Sequence, residues 1–194
     1  MSNKYILGVL ITTFSLLITP AVQAHALIGE ETSWLAGFTH PFLGLDHLLA
    51  MLSVGLWAAQ QGGNRLWQLP LAFLSMMLLG ALLGQTGFTL PSVEAGIAGS
   101  LLVLGLMLTF AIRLTILPSL LMVGLFALFH GYAHGAEMPQ TLTLSEYALG
   151  FILATGALHG LGIGLGLLAR GVQSEKILRM GGIAIGLTGA WLWI

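Results

Sequence analysis

An all-α integral membrane protein, with six transmembrane helices behind a cleavable signal peptide, is the fold class this sequence predicts. Three observations lead there: charge is scarce, apolar stretches recur at the length of a membrane span, and Lys and Arg fall only in alternate connections. Of 194 residues, 57% are hydrophobic and 7% charged, where a soluble domain carries about 25% charged residues. Six Lys or Arg and seven Asp or Glu cannot coat a water-soluble surface. A formal net charge of −1 gives no basic face for nucleic acid. Cysteine is absent, which excludes disulfides, thiolate metal sites and cysteine nucleophiles.

Residues 1–24 read as the leader. Lys4 supplies a positive start, Tyr5 to Ile18 an apolar run, Pro20 a break, and Val22-Gln23-Ala24 a small-x-Ala cleavage site. That run is short for a membrane span; the alternative is an uncleaved first helix. Cleavage after Ala24 would leave His25 at the mature amino terminus, a potential two-nitrogen chelate.

Six apolar stretches follow, about 40–60, 67–84, 93–112, 115–137, 144–169 and 177–194. A hydrocarbon layer about 30 Å thick needs about 20 helical residues, and unpaired backbone groups are not tolerated there, so the stretches are expected to be helices. The first should start at Pro41, with His40 extended just before it. Turn chemistry separates the stretches at Gln61-Gly62-Gly63-Asn64, Thr89-Leu90-Pro91-Ser92 and Met138-Pro139-Gln140. Arg65, Arg113, and the group Arg170, Lys176 and Arg179 lie in alternate connections, and the others hold no Lys or Arg after residue 24. By the positive-inside rule those connections face the cytoplasm and both mature termini face the periplasm or exterior. Gly156, Gly160 and Gly164 in the fifth stretch, and Gly182 and Gly186 in the sixth, are expected to seat neighbouring helices closely. Trp191 and Trp193 suit an interfacial anchor.

Ionisable groups are costly in a bilayer and mark pathways or sites. Here they concentrate in the first, fourth and fifth stretches, as His40, Asp46, His47, His130, His134, Glu137 and His159. In the first, His47 and Met51 share a helix face through their four-residue spacing. Asp46 could ligate a metal directly or orient an imidazole by accepting its second N–H. In FHGYAHGAEMP, residues 129–139, His130, His134 and Glu137 project from one face, a two-point clamp with a carboxylate one turn on. His159, with Thr155 one turn away, is weaker alone and equally consistent with a core histidine. The topology orders these groups into a descending series. His40, His134 and Glu137 form a mouth, Asp46, His47 and His130 lie deeper, and His159 is deeper still. Imidazole with carboxylate suits borderline divalent ions such as Ni2+, Co2+ or Zn2+, with Cu and Fe not separated from them by spacing; Ca2+ and Mg2+ prefer oxygen shells.

These residues resemble the HupE/UreJ family of bacterial nickel permeases. Three blocks carry the resemblance: His40-Pro41-x-x-Gly44-x-Asp46-His47-x-x-x-Met51, then Phe129-His130-Gly131-x-Ala133-His134-Gly135-x-Glu137-x-Pro139, and a looser Thr155, Leu158-His159, Gly162. It implies uptake of Ni2+, or Co2+ in some members, across the bacterial inner membrane for enzymes such as hydrogenase or urease. His40, Asp46, His47, His130, His134 and Glu137 would be the transport residues, with His25, Met51 and His159 as further pathway candidates. The metal would be cargo, with no permanently bound cofactor and no catalysis expected. The competing classes are a membrane-embedded metal-dependent enzyme and a metal-binding sensor or subunit. Against an enzyme, the chain has neither an HExxH helix nor a Gly-x-Ser-x-Gly elbow.

Overall fold

The computed structural model describes residues 32–139, 141–171 and 175–194. The expected leader at 1–24 and His25 lie outside the described residues. The described chain is helical, with seven helices and no strand: α1 Ser33–Leu43, α2 Leu45–Gln61, α3 Arg65–Gln85, α4 Val93–Thr109, α5 Ile116–Glu137, α6 Leu144–Gly171 and α7 Glu175–Leu192.

Five of these lie over apolar stretches two to six. The first stretch differs from expectation. Pro41 does not open a helix; it sits in the last turn of α1, and His40 is helical rather than extended. The break comes at Gly44, whose backbone is extended (φ −99°, ψ 119°) between α1 and α2, and the two helices meet at a bend of 83°. Packing explains why residues 33–39 are helical despite the downstream proline. At Gly37 the α1 backbone meets the Tyr147 carbonyl of α6, and at Gly150 the α6 backbone meets the Trp34 carbonyl. The Thr143 N–H, just before α6, donates to Ser33 Oγ at 2.9 Å.

By length and composition, α3, α5 and residues Leu144–Arg170 of α6 are able to cross a membrane, and the bent α1–α2 pair would make a fourth span. The apolar α4 is shorter, at 17 residues, and α7 carries Glu175, Lys176 and Arg179 in its first two turns. Outward faces are apolar: Leu117, Leu121 and Leu125 form an exposed stripe on α5, and Leu149, Leu153, Leu161 and Leu168 are exposed on α6. Water would penalise such a surface, whereas lipid tails match it.

The core centres on α2, in which every residue from Ser53 to Gln60 is buried. Extensive packing joins α3 to α5, α4 to α7, and α2 to α6. Gly62 and Gly63 turn the chain from α2 into α3 at positive φ (73° and 58°), which an L side chain adopts only with strain. Side-chain donors tie the helices together by bonding to distant backbone carbonyls. Trp57 Nε1 donates to Ile112 O at 3.1 Å, and Arg170 Nη1 to Ala59 O at 2.7 Å.

The glycine seams follow expectation on one helix and depart from it on another. Gly182 lies against Thr109 and the Gly105 carbonyl, and Gly186 packs beside Gly105, so α4 and α7 approach through small residues. On α6, a Cβ at Gly156, Gly160 or Gly164 would meet nothing within 4 Å. The seam there runs instead through Gly150, Gly162 and Gly166, which abut α1 and α2. Registers two residues apart differ by about 200° around a helix of 3.6 residues per turn, so the expected stripe faces away from the bundle.

Candidate metal centre

The break at Gly44 shapes the site. A Cβ there would lie 2.7 Å from Asp46 Oδ1 and 3.1 Å from His47 Nδ1, so only glycine leaves room for these side chains to fold back over the start of α2. Asp46 Oδ1 accepts the His47 backbone N–H at 2.8 Å and lies 2.8 Å from His47 Nδ1. A carboxylate has no proton to give here, so Nδ1 carries the hydrogen, and in the neutral ring the lone pair is on Nε2. Of the two roles open to Asp46, the geometry is that of a carboxylate orienting an imidazole. Its negative charge in the first turn of α2 also suits the helix dipole.

From α5, His130 and His134 enter the same region. Gly131 and Gly135 pack against the Met77 and Ala81 carbonyls of α3, pressing the histidine face of α5 inward. The ring centroids of His47 and His134 are 4.3 Å apart, those of His47 and His130 4.9 Å, and those of His40 and His134 4.6 Å. His40, in the last turn of α1, also reaches Glu137, with Nε2 3.9 Å from Oε2. Four imidazoles and two carboxylates from α1, α2 and α5 are thus gathered. His130 and His134 are essentially inaccessible, at 0% and 1% exposure, whereas the Glu137 side chain is 57% exposed and marks the open end.

His47 Nε2, His130 Nδ1 and both ring nitrogens of His134 are buried without a hydrogen-bond partner. Such orphans are rare in folded proteins and need a reason. As the side chains stand, no three His, Asp or Glu donors among the described residues form a group able to hold one ion. Side-chain rotation would be required to close a coordination shell.

His159 stands apart from this group. It is buried on α6, with both nitrogens unpartnered, and its ring lies 5.1 Å from that of Phe73, which in turn is 6.1 Å from His130. Met51 is fully buried one turn below His47. Its sulfur accepts from Thr155 Oγ1 at 3.2 Å, and Met77 Sδ lies 3.8 Å from the same hydroxyl.

Several contributors escape a reading of charge and spacing. Ser100 of α4 lies with Oγ 2.9 Å from His130 Nε2. Phe151 of α6 covers His134 at a centroid distance of 3.9 Å, and the Tyr147 ring stands 6.0 Å from His40. Each lies on a different helix from its partner, and no local pattern links them.

Comparison with known proteins agrees with the three sequence blocks. The family described as HupE / UreJ protein matches residues 11–192. Protein HupE of Rhizobium leguminosarum bv. viciae is 42% identical over 184 residues, covering 94% of this chain and 96% of that protein. No solved structure matches the chain. On the extent of both matches, the chain belongs to the HupE/UreJ family.

Proposed function

We propose that the protein is a permease that carries Ni2+, with Co2+ as a secondary substrate, from the periplasm to the cytoplasm across the bacterial inner membrane. One observation carries the reading: imidazoles from α1, α2 and α5 meet, and those of His47, His130 and His134 hold buried ring nitrogens without a partner. Empty, these nitrogens destabilise the fold, and a divalent cation entering as a Lewis acid would satisfy them. Nitrogen donors flanked by carboxylates favour borderline ions over Mg2+ and Ca2+. Nickel follows from membership of the family, whose name joins hydrogenase- and urease-associated proteins; the metal would supply enzymes of that kind.

In this mechanism Glu137 and His40 draw the hydrated ion to the open end, and His134 exchanges for its water. His47, in the first turn of α2, and His130, one helical turn from His134 on α5, receive it, with Asp46 holding the His47 ring and compensating charge. His159 offers the next imidazole, on α6. Ligands distributed over separate helices permit release, because small relative movements of those helices disperse the shell. The alternating Arg and Lys positions orient six spans, with α4 and α7 completing the crossing and both mature termini outside.

The test is flux. Protein reconstituted in liposomes should accumulate radioactive nickel, and His47→Ala or His130→Ala should abolish accumulation while the protein remains membrane-inserted. Near-wild-type flux in both variants would remove the assignment. Firm metal binding without flux would point to a sensor or an enzyme.

A further inference from the structure

Ser100 reveals which nitrogen of His130 is available to a metal. Its hydroxyl is fully buried on α4 and lies between two groups, 2.7 Å from the Ile97 carbonyl and 2.9 Å from His130 Nε2. A serine has one proton to donate. Were that proton directed at His130, the hydroxyl and carbonyl oxygens would face each other lone pair to lone pair at 2.7 Å, which is repulsive. The proton therefore goes to Ile97 O, and Ser100 Oγ accepts from Nε2–H. A neutral imidazole then has its lone pair on Nδ1, the atom that is buried without a partner.

We infer that Ser100 is a positioning residue that sets His130 in its Nε2–H form and so presents Nδ1 to the metal. This rests on the permease reading for its cargo, but the proton assignment stands on the hydrogen bonds alone. The neighbouring histidine is set in the opposite sense: the Asp46 carboxylate holds His47 as Nδ1–H, leaving Nε2 open. Two adjoining rings thus carry complementary tautomers, one held by a charged group and the other by a neutral one. His134, with neither nitrogen bonded, has no such constraint on its tautomer. Using one carboxylate where two were possible limits the negative charge in the centre. It therefore limits how tightly a divalent ion is retained, which suits cargo that must leave.

The experiment uses full-length, metal-free protein with 15N-labelled histidine in lipid bilayers. Solid-state NMR at alkaline pH reads pyrrole-type and pyridine-type ring nitrogens, with His130 assigned through correlations to Gly131. Wild type is expected to show His130 as Nε2–H. In Ser100→Ala the Nδ1–H form should appear, and affinity for added Ni2+ should fall about 10–100-fold, the range for loss of an orienting partner. Ser100→Thr keeps a hydroxyl able to bond a helix carbonyl and should restore both readouts. An Nδ1–H form in wild type would overturn the inference. So would an Ala variant with its tautomer unchanged, whether or not affinity falls, since weakened binding alone would indicate packing. Absence of Ni2+ binding by wild type would instead defeat the permease reading, while the nitrogen spectra would still decide the tautomer.

Discussion

His134→Leu separates the cost of the empty site from its use. Both ring nitrogens of His134 are buried and unpartnered, and an unsatisfied buried polar atom costs about 1–3 kcal/mol. The lower end applies in a bilayer, where the unfolded reference also finds partners, so two atoms amount to about 2 kcal/mol. Leucine removes that cost at similar volume but loses the edge-on contact with Phe151 at 3.9 Å, an aromatic pairing of about 0.5–1.5 kcal/mol. The net gain is about 1 kcal/mol, or about 2–4 °C in the unfolding midpoint for a chain of this size. Nickel acts in the opposite direction: at 100 times its Kd a ligand stabilises the native state by about 2.7 kcal/mol, equivalent to about 5–11 °C. Thermal unfolding in lipid nanodiscs, with and without Ni2+, should therefore show a reversal. The variant is the more stable protein without metal and the less stable one with it. A variant that is less stable metal-free yet keeps the full nickel-induced shift would refute the reasoning, because His134 would then be a structural histidine and not a ligand.

Other substitutions probe other parts of the site and fold. Asp46→Asn keeps the shape but replaces the carboxylate on His47 Nδ1 with an amide; Ni2+ affinity measured by calorimetry should weaken about 10–100-fold, with helix content unchanged by circular dichroism. Glu137→Gln removes an exposed charge 3.9 Å from His40. Initial uptake should slow most at low ionic strength and lose much of its salt dependence, as for a steering charge. Gly131→Ala would place a Cβ against the Met77 backbone of α3; overpacking of about 1–3 kcal/mol should lower the midpoint measurably. Gly160→Ala meets nothing within 4 Å and should be neutral to stabilising by about 1 kcal/mol or less in the same assay. Equal effects of the two alanines would contradict the α6 register.

Composition and chemistry were legible in the residues themselves. A chain so poor in charge has few ways to be folded in water, and the apolar run lengths place α3 to α7 within a few residues, because helix length in lipid is set by layer thickness. The shared face of His130, His134 and Glu137 was also accessible, since i, i+4 spacing determines a helix face whatever the helix packs against; bringing His40, Asp46 and His47 to the same end rested on the charge-derived topology. Pro41 misled because a local preference was overridden by the close backbone contacts of α1 with α6 at Gly37 and Gly150. The glycines of α6 misled for a related reason. Two interleaved four-residue series occupy that helix, and periodicity cannot say which one faces a neighbour.

The sequence by itself determined which groups were available: a hydrocarbon-compatible helical chain, nitrogen and oxygen donors without thiolate, and the helix faces bearing them. Tertiary structure alone decided which nitrogen of His130 remains open. That depends on Ser100 reaching His130 from another helix, and the same packing sets Phe151 over His134. The reason is physical. Spacing along one helix places side chains on a face, but a tautomer is set by its hydrogen-bond partner, and for His130 that partner is brought into range only by packing between helices.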